Sequence, residues 1–194
     1  MKKFLIAGLG NIGEEYAHTR HNIGFAIADA LALSCLKEEG KNKIFSDSRH
    51  ASVAQVRFKG KQLVIIKPTT FMNLSGKAVN YWMAHEKIEK ENLLVVADDI
   101  ALPFGKIRIK KQGSDGGHNG LTSIIETFGT NEFARLRFGV GGDFQRGKQV
   151  DYVLGKWNAE ENKMLAEKIS QAVEAIKSFV TTGMEKTMTA YNKK

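Results

Sequence analysis

The sequence predicts an α/β fold: a single domain with a mixed, partly parallel, twisted sheet flanked by helices. Three observations carry this reading. Short apolar runs at 4–8, 62–67 and 93–96 have the length and composition of buried strands. Segments with helical spacing, at 22–36 and 75–86, interleave with them, the pattern of α/β architectures. Alternating segments at 51–58, 106–110 and 134–140 add strands with one solvated face, which makes the sheet mixed. The 194 residues suit one domain over 1–194.

Taken in order, Phe4-Leu5-Ile6-Ala7 forms the first strand and stops at Gly8. Ile23, Ala26, Ile27, Ala30, Leu31 and Leu33 recur at helical spacing, with Asn22 or a neighbour as cap. The polar stretch 37–48 is expected to be a loop. Lys59-Gly60-Lys61 is a hairpin turn between the strands at 51–58 and 62–67. Ala78, Val79, Trp82 and Met83 mark the helix at 75–86, and Leu93-Leu94-Val95-Val96 a buried strand running into Asp98-Asp99. Lys106 to Lys110 alternates basic and apolar residues, a half-buried strand with a cationic face. A glycine-rich loop, 113–120, leads into a short helix at 120–128, and 134–140 is a second basic alternating strand. A long amphipathic helix spans 159–181, with a further helical turn or two before the end. The sequence has no internal repeat, low-complexity tract or linker.

Lys and Arg number 29 against 21 Asp and Glu, a formal charge of +8. That excess favours a polyanionic partner, most simply nucleic acid. Cys35 is the only cysteine, so no intrachain disulfide forms, as suits a cytoplasmic location; its apolar helical context makes it a small core residue. No run of eighteen apolar residues occurs, so no membrane span is expected. The apolar stretch after Lys2-Lys3 is too short for a signal-peptide core.

Gly8-Leu9-Gly10-Asn11-Ile12-Gly13 satisfies the dinucleotide pattern G-x-G-x-x-G after a strand. A nucleotide site also needs a helix to begin inside the motif and an acid at the end of a second strand about twenty residues on. Here Glu14-Glu15 follows at once, the helical pattern begins only near 22, and Asp29 falls inside that helix. No cofactor is therefore expected. His18 and His21 lack an evident third ligand, so no metal is expected, and no G-x-S-x-G elbow is present.

What remains is water activated by a histidine. His21 shares its loop with Asn11, Arg20 and Asn22, and an imidazole with its ordinary pKa of about 6.5 is available as a base at neutral pH. Asp98, ending a buried strand, is the natural orienting acid, with Asp99 the competing choice that alternation sends to the opposite face. Asn73 and Asn119 lie in loops before helices, where gripping a substrate and capping a helix are alternative roles. His118 is either a supporting or a surface histidine. Lys106, Arg108, Lys110, Lys111, Arg135 and Arg137 form either a phosphate-contacting face or a solvated sheet edge.

The ordered motifs together resemble bacterial peptidyl-tRNA hydrolases over almost the whole chain. They are Gly8 to Asn11 with Thr19 to Phe25, Lys67 to Lys77, Asp98-Asp99 with Leu102-Pro103 and Gly105, Gly116 to Leu121, and Arg135 to Gly141. The resemblance implies a metal-independent, usually monomeric esterase that releases peptide from tRNA. It implies His21 as base, Asp98 as its holder, and Asn11 in telling N-blocked from free aminoacyl-tRNA. Tyr16, Phe71, Asn73 and Asn119 would line the site, and Lys110 and Arg137 would clamp the tRNA 5′ phosphate. Ile12, Ala101 and Ser114-Asp115 depart from the family pattern. Two rivals remain: a non-catalytic RNA-binding relative and a cofactor-dependent enzyme on the Gly8–Gly13 loop.

Overall fold

Phe4 to Gly8 are all buried, and a strand buried on both faces needs a layer of structure over each. The computed structural model, which describes residues 1–36 and 44–192, supplies both layers. In chain order the elements are β1 (Lys3–Gly8), α1 (Ile23–Leu36), β2 (Ser46–Ser48), β3 (Ala51–Phe58), β4 (Lys61–Pro68), α2 (Ser75–Glu86), β5 (Leu93–Asp99), β6 (Ile107–Lys110), α3 (Asn119–Phe128), β7 (Ala134–Gly139), α4 (Gln149–Val153), α5 (Ala159–Thr182) and α6 (Met184–Tyr191).

The strands form one seven-stranded sheet in the order β2-β3-β4-β1-β5-β7-β6. The central β4, β1, β5 and β7 run parallel, β3 on one side and β6 on the other run against them, and β2 pairs antiparallel with β3. The sheet is therefore mixed, as expected. Alternation along β1 divides the core. Phe4 and Ile6 face the layer of α1 and α5, and Leu5 and Ala7 face that of α2 and α3.

Residues 46–48, expected as loop, instead pair with β3 as a short edge strand, and 37–43 lie outside the described residues. The segment is polar because both faces of this outermost strand are exposed, so no apolar period marks it. α4 has no counterpart in the sequence reading; five residues are too few to show a helical period. The hairpin turn is confirmed: Lys59 and Gly60 both have positive φ, 43° and 72°, the geometry of a two-residue type I′ turn.

The glycines after β1 have a packing role. A Cβ on Gly8 would lie 2.2 Å from Gly24 O, and one on Gly24 would lie 2.4 Å from Leu9 O. The first turn of α1 thus presses directly on the end of β1. Between them the chain makes 3-10 turns at Glu14–Tyr16 and Arg20–Asn22, so α1 does not start inside the glycine motif as a pyrophosphate loop requires.

The parallel strands point their carboxyl ends the same way. The helix after β1 lies on one face of the sheet and that after β4 on the other, which opens a crevice between them. Gly24→Ala should destabilise the protein by about 3 kcal/mol or more, because backbone, not a flexible side chain, occupies the space. Denaturant unfolding checks this.

Candidate active site

The crevice at these strand ends is a cavity of about 720 Å³ lined by residues from every loop that leaves it. His21 enters from the 3-10 turn ahead of α1. That turn is held from behind: the Arg20 main-chain N–H donates to Gly155 O at 3.0 Å, and Thr19 bridges to Lys156. The buried Arg20 side chain donates to Glu161 at 3.0 Å and stacks over the Tyr152 ring at 4.3 Å. One cation thus ties the histidine's turn to α4 and to the capping box that starts α5.

His21 Nδ1 lies 2.9 and 3.0 Å from the two oxygens of Asp98. A carboxylate only accepts, so Nδ1 carries the proton and Nε2 keeps its lone pair. Nε2 has no hydrogen-bond partner among the described residues, and the ring lines the cavity. Asp98 is buried near the end of β5. Burial pushes its carboxyl up, but His118 and then His21 more than reverse this and hold it well below the usual carboxylate range.

His118 is the functional residue the sequence reading leaves unplaced. Its Nε2 lies 2.9 Å from Asp98 Oδ1, and its Nδ1 accepts from the N–H groups of Gly120 and Leu121 at 3.1 and 3.3 Å. It is the N-cap of α3, a role open to Asn119 in the sequence. Histidine is an uncommon cap, and Asp98 is twenty residues away, so no local signal marks the pair.

His21, Asp98 and His118 place three potential ligand atoms within 4.8 Å. The chemistry of the set does not fit a metal. Each imidazole atom facing Asp98 carries a proton, and His118 Nδ1 is occupied by two amide donors. Metallation at His118 Nε2 would demand an imidazolate.

Asn11 and Asn22 bind one another. The Asn11 main-chain N–H donates to Asn22 Oδ1 at 2.8 Å, and Asn22 Nδ2 donates back to Asn11 O at 2.9 Å. Met72 N–H donates to Asn11 Oδ1 at 2.8 Å, so the amide orientation is set and Nδ2 is left as a donor. Asn73 and Asn119 line the same cavity with no side-chain hydrogen bond among the described residues, and neither caps a helix. Phe71 also lines it and is exposed. Tyr16, in the first 3-10 turn, is not among the lining residues. Asp99 lines the cavity beside Asp98, although alternation assigns it to the far face. The strand ends there, and Asp99 turns to accept from Ala101 N–H at 2.8 Å.

The basic face divides into two roles. Register puts Arg108 opposite Arg137 and Lys110 opposite Arg135, so all four share one face of the sheet. Arg135, however, is fully buried. It stacks on Phe133 at 4.0 Å and donates to the carbonyls of Gly113, Ser114, Asn131 and Phe133. Burial, then the neighbouring Arg137, lowers its pKa to about 10, leaving it cationic at neutral pH. Arg135 is thus an internal brace for the 113–118 loop and not part of a phosphate-contacting surface. Arg137 lines the cavity, donates to Ser114 O at 2.8 Å and pairs with Asp99 at 3.5 Å. Lys110 is exposed outside the cavity. Asp115 accepts from Gly117 N–H at 2.8 Å and from Thr122 Oγ1 at 2.9 Å, so its charge staples the loop to α3.

The chain matches the model of the family described as peptidyl-tRNA hydrolase over residues 5–194. It is 54% identical over 192 residues to a peptidyl-tRNA hydrolase of Phocaeicola vulgatus, covering 99% of this chain and 100% of the relative. It is 52% identical to that of Cytophaga hutchinsonii, with 99% of each chain covered. A crystal structure of the Acinetobacter baumannii peptidyl-tRNA hydrolase superposes with a TM-score of 0.86 at 33% identity, covering 97% of this chain and 94% of that one. A buried imidazole–carboxylate pair with unpartnered amides around it, in a chain matched from end to end, leads to one conclusion: the protein belongs to the peptidyl-tRNA hydrolase family.

Proposed function

We propose that this cleft hydrolyses the ester joining a peptide to the terminal ribose of tRNA, with His21 as general base. The observation that carries the reading is the His21–Asp98 pair, whose Nδ1–H is held by the buried carboxylate while Nε2 stands open to the cavity. Water bound at Nε2 gives its proton to the imidazole as its oxygen attacks the ester carbonyl. Asp98 stabilises the resulting imidazolium. The carbonyl π electrons move to oxygen, and Asn11 Nδ2, with the amides of Asn73 and Asn119, supplies neutral donors for that charge. As the tetrahedral intermediate collapses, the imidazolium returns the proton to the departing ribose oxygen.

Donors of this kind also fit discrimination. Asn11 Nδ2 is suited to a carbonyl, which an N-blocked residue carries and a free aminoacyl group replaces with an ammonium. Phe71 offers an exposed ring for an apolar side chain of the peptide. Arg137 at the cavity and Lys110 on the neighbouring strand would meet phosphate, a reading that the formal charge of +8 supports. Tyr16 would meet the substrate only from outside the cavity wall. Among the described residues no helix is long and apolar enough to cross a membrane. The single, buried cysteine and an RNA substrate fit an enzyme of the cytoplasm.

The direct test is release of N-acetylated amino acid from tRNA, with chelator present, against the unblocked aminoacyl-tRNA. The blocked substrate should be cleaved selectively, and His21→Ala should lower kcat by at least about 10²-fold with tRNA affinity little changed. Full turnover in that variant would refute the base assignment. Lys110→Ala should weaken tRNA binding and reduce the slope of log affinity against log salt by about one.

Asp98 also makes a pH prediction. Its folded-state carboxyl lies below the usual value of about 3.9, so its stabilising contribution is complete above roughly pH 4 and fades as pH falls toward the folded value. Wild-type stability should therefore fall more steeply than that of Asp98→Asn below that pH. Denaturant melts across pH 2–6, an interval of about two units on each side of the usual value, measure the difference.

A further inference from the structure

We propose that His118 is a positioning residue for the reaction: a neutral imidazole, kept in one tautomer by the start of α3, whose Nε2–H fixes Asp98 for His21. The inference rests on the assignment of His21 and Asp98 as the reacting pair.

The geometry leaves His118 one state. The amides of Gly120 and Leu121 both donate to Nδ1, so the ring's proton is on Nε2, aimed at Asp98 Oδ1 at 2.9 Å. A second proton would have to sit on Nδ1, against two N–H groups and the positive end of α3. His118 therefore donates to Asp98 without becoming its counter-ion.

That distinction matters to the chemistry. With His118 neutral, the Asp98 charge is available for the imidazolium that forms on His21. With His118 protonated, the carboxylate would already be matched, and a second imidazolium 4.9 Å away, centroid to centroid, would be opposed. Asp98 Oδ1 accepts from both rings and Oδ2 from His21 only. The His118 donor thus stops the carboxylate turning about its own axis. Of the other charged groups around the cavity, Arg146 lines it from the segment ahead of α4, and the two acids have their own partners. Asp99 on β5 pairs with Arg137 on β7, and Asp115 ahead of α3 accepts from Gly117 and Thr122.

Two substitutions separate positioning from capping. Asn at 118 is a good N-cap that places its oxygen near the Nδ1 position but offers no donor that reaches Asp98. Gln is a poorer cap with an N–H at greater reach. His118→Asn should keep the fold and the cap of α3, lose the part of the stability that the Nε2–H donor gives the buried Asp98, and lower kcat by about 10–100-fold with KM moved far less. His118→Gln should recover part of that kcat. In an Asp98→Asn background, His118→Asn should add little, since the two act through one contact. Nitrogen-15 spectra of the histidine rings should show the Nε2–H tautomer of His118, with Nδ1 as the accepting nitrogen.

A His118→Asn enzyme with wild-type kcat overturns the proposal. So does a loss fully additive with Asp98→Asn, or a neutral His118 ring with its proton on Nδ1. If His21→Ala is itself fully active, the catalytic reading fails instead, and the two failures are distinguishable.

Discussion

A carboxylate with 5% of its surface exposed, accepting from two imidazoles, is the constraint around which this molecule is arranged. An ionised acid at that depth is unfavourable unless donors surround it. Asp98 obtains them from two loops far apart in sequence, one before α1 and one before α3. Each loop is in turn fixed by contacts that have no chemical role of their own. The low carboxyl pKa follows from these two donors, the His21 tautomer from the carboxylate, and the His118 tautomer from the amides at the start of α3.

The fold delivers the parts through strand ends. β1 carries Asn11, β4 carries Phe71 and Asn73, β5 carries Asp98, and β7 carries Arg137, all toward the same edge of the sheet. Close approach of α1 to β1, which the glycines at 8 and 24 permit, brings the His21 turn over the end of β5. The mutual hydrogen bonds of Asn11 and Asn22 then tie together the two ends of the connection between β1 and α1. Arg20 holds the outer side of that turn against α4 and α5, so the wall of the cleft at 149–155 and His21 share one anchor.

Charge in this protein does two kinds of work. Exposed Lys110 and the half-buried Arg137 look outward, and the net positive charge favours a polyanion. Arg135, one alternation away from Arg137, satisfies backbone carbonyls of the glycine loop and is closed to solvent. Asp115 likewise serves the loop, and Arg137 stands beside it. Local charge pattern does not separate these roles, because alternation places all the basic residues of β6 and β7 on one face.

Much of this was readable before any coordinates. The apolar runs and alternating segments specify β1, β3 to β7 and the longer helices, because burial on one or two faces leaves a period that composition carries. The edge strand β2 and the five-residue α4 leave no such period. Motifs singled out His21, Asn11, Asn73 and Asn119, since unusual polar residues in loops after strands stand out locally. Three matters had to wait for the folded chain: that His118 shares Asp98, that Arg135 is buried, and that Tyr16 stays off the cavity wall. Each depends on which distant groups meet. Residue type and spacing record what a side chain is able to do, whereas hydrogen-bond partners across twenty or seventy-seven positions exist only once the sheet has brought its strand ends together.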